Sequence, residues 1–289
     1  MIKNVKQRVW AFDLEWAPDP AAGRLLYEEA AGVEDPAEVL QIMWRHGGAT
    51  DDEPRPFLKT VLCRVLSVAA LERRELPDGT VKLTLTALPH DPGNPEEAAE
   101  AQVVGAFLEA LGKSRPQLVG FNSVQSDLKI LVQRGLILGL SAPGFCERPD
   151  KPWEGIDYFA RGSDWNIDLK EIFGGWGQGS PSLHELAVQS GIPGKMGIEG
   201  SDVAPLWLAG DLDRIVRYNE CDAVTTYLVW LRAAHFAGHF DDREYAREQQ
   251  LVSDLLQAEA AKGGRDHLQA YLDAWVRLTG EAARGGREE

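Results

Sequence analysis

Residues 8–15 read RVWAFDLE, an apolar and β-prone run that ends in two acids, Asp13 and Glu15. In a strand, side chains alternate between faces, so both acids lie on one face and Leu14 lies on the other. Two neighbouring carboxylates repel each other unless a cation lies between them. The stretch therefore predicts a buried strand that ends in a charged site, although many strands end in acids that are merely solvated.

The segments on either side of Pro77-Asp78-Gly79 predict a β-hairpin. Residues 61–74 and 80–88 alternate between apolar and polar positions, and Asp-Gly is typical of tight turns. Further strands are predicted at 117–121 and 166–168, separated by helical patterns that favour parallel pairing. This order predicts an α/β, ribonuclease-H-like fold with a mixed sheet, three antiparallel strands and then parallel ones, flanked by helices.

Helical periodicity covers much of the remaining chain. We expect helices over 34–45, 95–112, 181–190 and 211–236, the second capped at Asn94. Another begins near Ser126, with an apolar stripe formed by Leu128, Leu131, Val132 and Leu136. The pattern divides the chain into a main domain, 1–238, with an insertion at about 18–58, and a helical C-terminal extension, 239–289.

The composition is that of an ordinary globular protein, 44% hydrophobic and 26% charged over 289 residues. No run approaches the ~18 apolar residues of a membrane span, and the first residues lack a signal-peptide pattern. The three cysteines form no CxxC pair, which favours reduced thiols over disulfides or a zinc site. We therefore expect a cytoplasmic protein without a membrane partner.

The formal net charge is −15. Proteins that hold long stretches of DNA are usually basic, because neutralised phosphates supply most non-specific affinity. The acidic balance is compatible with action on short or single-stranded ends, where bound metal ions supply positive charge locally. It is also compatible with delivery by a basic partner.

Two more acids follow later elements. Asp127 lies at the start of a helix just after the strand at 117–121, and Tyr218 and Asp222 are four residues apart on one helix face. Each acid alone has an ordinary explanation, a helix cap or a solvated side chain. Together with Asp13 and Glu15, they provide the oxygen ligands that a two-metal phosphodiesterase needs, with hard cations about 3.5–4 Å apart.

Three segments, FDLEW, GFNSVQSD and YNECD, resemble in order the motifs of the DEDD superfamily of 3′-5′ exonucleases, the last in its tyrosine form. The chain looks most like the predicted exonucleases related to the proofreading domain of family-B DNA polymerases. The likeness covers roughly 8–235 and includes the stretch IPGKMGIEGSDV. Ser126 replaces a usual aromatic, and Arg217 stands where the histidine class has its histidine.

This resemblance implies a metal-dependent 3′-5′ exonuclease that releases nucleoside 5′-monophosphates from single-stranded 3′ ends, with DNA favoured over RNA. It implies two Mg²⁺ or Mn²⁺ ions. Asp13 would contact both, Glu15 and Asp222 would complete the first site, Asp127 would hold the second, and Tyr218 would orient the attacking water. An exoribonuclease with the same site and an inactive interaction module are the alternatives.

Several residues have two interpretations. The resemblance suggests that Leu14 and its backbone line the terminal nucleotide, and that Asn122 occupies a polar position of the family. Lys195 either contacts a phosphate or is a solvated loop residue, and Asp168 lies beside the site or orients a helix. One or two of five aromatic residues stack on bases, or all of them cover the core: Trp153, Tyr158, Phe159, Trp165 and Trp176. The two helices of the tail, separated at Gly263-Gly264, either pack on the main domain or bind a protein partner.

Overall fold

The computed structural model describes residues 2–174 and 179–285. Within these ranges a single sheet contains five strands in the order β3-β2-β1-β4-β5. They are β1 (Arg8–Pro18), β2 (Cys63–Glu75), β3 (Val81–Leu88), β4 (Gln117–Gly120) and β5 (Asn166–Asp168). The first three pair antiparallel, whereas β4 is parallel to both β1 and β5. The predicted ribonuclease-H-like mixed sheet is therefore confirmed.

Eleven α-helices surround this sheet in the described part of the chain. They are α1 (Pro20–Leu26), α2 (Pro36–His46), α3 (Glu100–Ser114), α4 (Asp127–Ile137), α5 (Pro143–Cys146), α6 (Leu169–Gly174), α7 (Leu183–Gln189), α8 (Gly200–Leu208), α9 (Leu212–Phe236), α10 (Asp242–Ala260) and α11 (Asp266–Gly285). None of the described helices is long and apolar enough to cross a membrane. The three cysteines are free thiols.

Strand β1 occupies the centre of the sheet, and its alternation separates two cores. Val9 and Ala11 are buried with residues of α9, whereas Phe12 and Leu14 are buried on the opposite face with residues of α3 and α4. By the same alternation, Asp13 and Glu15 face α9. The sheet register shifts between Glu15 and Trp16, and such bulges change the direction of side chains next to functional sites.

The insertion at about 18–58 contains α1 and α2. Leu40 and Met43 of α2 are fully buried, and they belong to a core that includes Val203 of α8 and Tyr218 of α9. The insertion therefore packs on the same side of the sheet as α9, next to the end of β1 that carries the acids.

The start of α3 differs from the prediction. This helix begins at Glu100, not at residue 95, and its N-cap is Ala99. The Asn94 side chain instead accepts a hydrogen bond from the backbone N–H of Glu96. Short polar side chains favour such local turns, which compete with helix initiation, so the residues after Asn94 form turns before the helix starts.

The predicted apolar stripe of α4 is half wrong. Leu128 and Leu131 are buried, but Val132 and Leu136 are exposed. Arg134 is buried instead and pairs with Glu100 and Asp19. A fully paired arginine can occupy a core position that a periodicity argument reserves for an apolar residue.

The tail packs against the main sheet and α9. Val252, Leu256, Leu268 and Tyr271 belong to the same buried cluster as Tyr227 of α9. Beside this cluster, Glu248 of α10 accepts hydrogen bonds from Arg73 of β2 and from the Tyr227 hydroxyl. Packing on the main domain is therefore observed. The boundary between residues 238 and 239 and a protein partner for the tail stay predictions.

Candidate active site

Carboxylates from two distant parts of the chain meet at the end of β1. Asp13 and Glu15 of β1 and Asp222 of α9 each offer an oxygen, and the three oxygens lie within 4.8 Å of one another. Glu15 is buried, whereas Asp13 and Asp222 are partly exposed. Among the described residues, this is the one such group of three or more side chains that could hold a metal ion.

Asp127 lies beside this group without belonging to it. It is the first residue of α4, and its carboxylate Oδ1 accepts a hydrogen bond of 3.2 Å from the backbone N–H of Leu14. It is also close enough to raise the pKa of both Asp13 and Glu15. The structure thus places Asp127 against the backbone between the two strand acids, at the edge of the cluster.

Burial and mutual repulsion shift the acids toward their neutral forms. Burial is the first cause in each case, and it raises the pKa of Asp127 to about 7 and that of Asp222 to about 6. The pKa values of Asp13 and Glu15 are raised well above their ordinary range by burial and by the neighbouring carboxylates. A divalent cation reverses this preference, because an opposite charge favours the ionised form. The clustered oxygen ligands are those that hard cations such as Mg²⁺ and Mn²⁺ take.

Asn219 is a site residue that the sequence reasoning missed. Its side chain is fully buried, and its amide N–H donates to Asp13 Oδ2 at 2.7 Å. Its amide oxygen accepts a hydrogen bond of 3.0 Å from the hydroxyl of Ser67. Ser67 lies on β2, directly opposite Glu15 in the register of the sheet. These two hydrogen bonds fix the orientation of the Asn219 amide and the position of one carboxylate oxygen of Asp13. The available signal was a polar residue inside YNECD, three positions before Asp222 and so on the same helix face.

Tyr218 contacts the cluster directly. Its hydroxyl interacts with the Asp222 carboxyl, and this interaction lowers the pKa of Asp222 against the larger effect of burial. Burial and the neighbouring carboxylates raise the pKa of the Tyr218 phenol well above its ordinary value. The ring packs with Ile198 and Val203. Tyr218 is therefore a neutral hydroxyl held at the edge of the acids.

The three predicted substrate contacts differ in their surroundings. Leu14 as a whole is only 2% exposed, its side chain belongs to the core, and its backbone N–H is bonded to Asp127, so little of this residue is accessible to a ligand in this conformation. Asn122 adopts a left-handed conformation, φ 66°, and its amide donates to Ser126 Oγ at 2.6 Å. Lys195 is exposed, and its charge lowers the pKa of Asp222. All three contacts stay predictions.

Asp168 orients the backbone around the site. Its two carboxylate oxygens accept hydrogen bonds from four backbone N–H groups, those of Asn122, Val124, Lys170 and Glu171. Asp168 therefore joins the loop before Asp127 to the start of α6.

The aromatic residues of this region mostly cover the core. Tyr158 is buried and donates to the Pro116 carbonyl, and Phe159 and Trp165 are partly buried against the same core. Trp153 is 79% exposed, so it alone of these four presents most of its ring to solvent. Trp176 lies outside the described residues. Stacking on bases stays a prediction.

A family model described as "Predicted 3′-5′ exonuclease related to the exonuclease domain of PolB" matches residues 55–275. The chain belongs to this family. The matched region includes Asp127, Tyr218 and Asp222, and it begins after Asp13 and Glu15, whose place in the site rests on the geometry above. It also reaches through α10 into α11, so the likeness extends further into the tail than the motifs indicated. A comparison with curated proteins found no match.

Membership of this exonuclease family supports a nuclease, and thus a hydrolase that acts on nucleic acid. Such chemistry requires that positive charge stabilise the transition state. Within the described residues, the cluster of Asp13, Glu15 and Asp222 is where the chain gathers ligands for cations.

Crowding of the carboxylates leads to a prediction on stability. In EDTA at pH 8, above the pKa of about 6, Asp222 is ionised at a cost to the folded state. Asp222→Asn removes this charge, so its Tm should exceed that of the wild type, by roughly 2–4 °C for each kcal/mol that burial of the charge costs. Below the unfolded-state pKa of Asp222 the carboxyl is protonated in both states, and the difference should vanish.

Calorimetry with and without Mn²⁺ checks this prediction. Mn²⁺ should raise the Tm of the wild type, because it binds only the folded site, and should raise that of Asp222→Asn much less. Asp254→Asn, an exposed acid of α10, is the control and should show neither effect. If the Tm of Asp222→Asn in EDTA at pH 8 is below that of the wild type, the charge of Asp222 does not destabilise the metal-free fold.

Proposed function

We propose that this protein is a metal-dependent 3′-5′ exonuclease that hydrolyses the terminal phosphodiester bond of single-stranded DNA and releases nucleoside 5′-monophosphates. One observation carries the proposal. The Asp13, Glu15 and Asp222 oxygens converge within 4.8 Å, with Asp127 against the same strand, in a chain of a predicted 3′-5′ exonuclease family.

Two Mg²⁺ or Mn²⁺ ions fit this set of ligands. In the proposal Asp13 would contact both ions, Glu15 and Asp222 would complete the first site, and Asp127 would hold the second. Bound there, the ions supply the positive charge that lowers the pKa of a water molecule and stabilises the leaving 3′ oxygen. Asn219 restricts the rotation of Asp13, and the backbone N–H of Leu14 fixes Asp127, so two of the four ligands are oriented in advance.

Tyr218 would orient the attacking water. A hydroxyl has one proton and two lone pairs, and in the proposal Tyr218 directs its proton to the neighbouring Asp222 carboxylate. The phenol oxygen can then accept a hydrogen bond from water, which directs a lone pair of that water toward the phosphorus. In this role Tyr218 positions the nucleophile and does not remove its proton.

The surroundings of the site favour a thin, flexible substrate. The net charge of −15 opposes a long duplex, whereas a single strand needs only a few phosphate contacts near its end. Lys195 is a cation close enough to influence Asp222, and it is suitably placed to contact a phosphate beside the ions. The acidic surface elsewhere then limits binding to the 3′ end.

The activity assay uses a 5′-labelled single-stranded DNA oligonucleotide with Mg²⁺ or Mn²⁺. We expect the label to appear in a ladder that shortens from the 3′ end, and EDTA to abolish it. Asp13→Ala should lower the rate at least ~10²-fold, because cation binding and stabilisation of the transition state fail together. Asp254→Ala, in an exposed part of α10, should retain activity. A matched RNA oligonucleotide decides between the two sugars, and no shortening of either strand would contradict the proposal.

Tyr218→Phe tests the role of the hydroxyl. It removes one hydrogen bond to water and leaves all four carboxylates, so the rate at saturating substrate should fall less than in Asp222→Ala. Affinity for Mn²⁺, measured by titration calorimetry, should stay near that of the wild type in Tyr218→Phe and weaken in Asp222→Ala. Equal losses of rate in the two variants would contradict a water-orienting role.

A further inference from the structure

The C-terminal tail reaches the site through a chain of buried hydroxyls. Tyr271 of α11 is fully buried, and its hydroxyl lies 2.8 Å from Thr225 Oγ1 on α9. The Thr225 hydroxyl is 3.1 Å from the carbonyl oxygen of Pro193. A carbonyl can only accept, so Thr225 gives its single proton to Pro193, and Tyr271 must donate to Thr225. The hydrogen bonds therefore run in one direction, from Tyr271 of the tail to the segment 192–199, which contains Pro193 and Lys195.

The segment that receives this hydrogen bond is held from a second side. The backbone N–H of Lys195 donates to His184 Nδ1 of α7 at 3.1 Å. A Cβ added at Gly194 would lie only 2.0 Å from His184 Nδ1, so a glycine is required for this approach. Pro193 and Gly194 are buried, and Lys195 is the first exposed residue after them. The two clamps therefore determine where the Lys195 side chain leaves the surface.

Lys195 follows two residues after Pro193, whose carbonyl is bonded to Thr225 of α9, one helical turn from Asp222. Its ammonium group interacts favourably with Asp222, and its Nζ lies 3.5 Å from Glu199 Oε1. Thr225 is three residues after Asp222 on α9, so the anchor of the segment and the metal-ligand candidate share one side of that helix.

We propose that Tyr271 is a positioning residue of the exonuclease site, which acts through Thr225 and Pro193 to hold Lys195 where it contacts a phosphate of the single-stranded substrate. The substrate part rests on the proposed function. The C-terminal helices then contribute to substrate binding, because they hold a segment of the same site that the family motifs form.

A comparison within the chain separates positioning from packing. Tyr227 is also fully buried, and its hydroxyl also links α9 to the tail, through Glu248 of α10. That hydrogen bond leads to Arg73 of β2 and not to the segment of Lys195. Tyr227→Phe is therefore the matched control for Tyr271→Phe. Each substitution removes one buried hydroxyl between the same helix and the tail.

The experiment measures kcat and KM on a single-stranded DNA oligonucleotide. The single variants are Tyr271→Phe, Tyr227→Phe and Lys195→Ala. Two double variants combine Lys195→Ala with Tyr271→Phe or with Tyr227→Phe. Tyr271→Phe should raise KM roughly five-fold, the factor that one hydrogen bond supports, and should have no further effect in the Lys195→Ala background. Tyr227→Phe should leave KM unchanged in both backgrounds. A full additional loss from Tyr271→Phe when Lys195 is absent would overturn the proposal.

Hydrogen exchange followed by mass spectrometry tests the same link without activity. In Tyr271→Phe, the backbone of residues 192–199 should exchange roughly five-fold faster than in the wild type, and in Tyr227→Phe it should not change. Equal exchange in this segment for the wild type and Tyr271→Phe would overturn the link. If the wild-type protein shortens no oligonucleotide, the proposed function fails, and the exchange measurement still decides whether Tyr271 holds the segment.

Discussion

Three carboxylates crowd together at the end of β1, and their mutual repulsion constrains every element that carries them. Asp13, Glu15 and Asp222 share a space in which their oxygens are within 4.8 Å of one another. At an effective dielectric constant of about 20, two unit charges about 4 Å apart repel by about 4 kcal/mol. Without a cation, the folded protein either carries this cost or protonates some of the carboxylates, so other interactions must hold the elements that carry the acids in place.

Apolar burial and oriented hydrogen bonds are the interactions that hold these elements in place. Strand β1 is buried on both faces at the centre of the sheet, and α9 is covered by the sheet, by the insertion and by the tail. Asn219 then fixes the orientation of Asp13, and the backbone of Leu14 fixes Asp127. The positions of the carboxylates are thus set by packing and hydrogen bonds elsewhere in the protein. A cation would therefore bind to ligands that are already in place. Such preorganisation is what charge stabilisation in catalysis requires.

Local patterns were enough to predict the sheet and the faces of the acids. Alternation in residues 8–15 placed Asp13 and Glu15 on one face, and the spacing of Tyr218 and Asp222 placed them on one side of α9. The patterns failed where a long-range partner or a local turn decides the outcome. Arg134 can be buried because Glu100 and Asp19, which are distant in sequence, lie close to it in the fold and pair with its charge. Helix α3 starts later than predicted because Asn94 forms a turn. Tyr271 acts through a hydrogen bond to a residue 46 positions away, which no periodicity reveals. Helical spacing places Asn219 on the face of Asp222, but its hydrogen bond to Asp13 depends on the fold.

Diffraction at the manganese absorption edge, from crystals soaked with Mn²⁺ and a nucleoside 5′-monophosphate, locates the bound ions. We expect anomalous peaks among the carboxylates, with one ion about 2.0–2.3 Å from oxygens of Asp13, Glu15 and Asp222. A second peak should lie between Asp13 and Asp127. Strong anomalous density elsewhere on the protein, with none between Asp13 and Asp222, would show that these carboxylates are not the metal ligands.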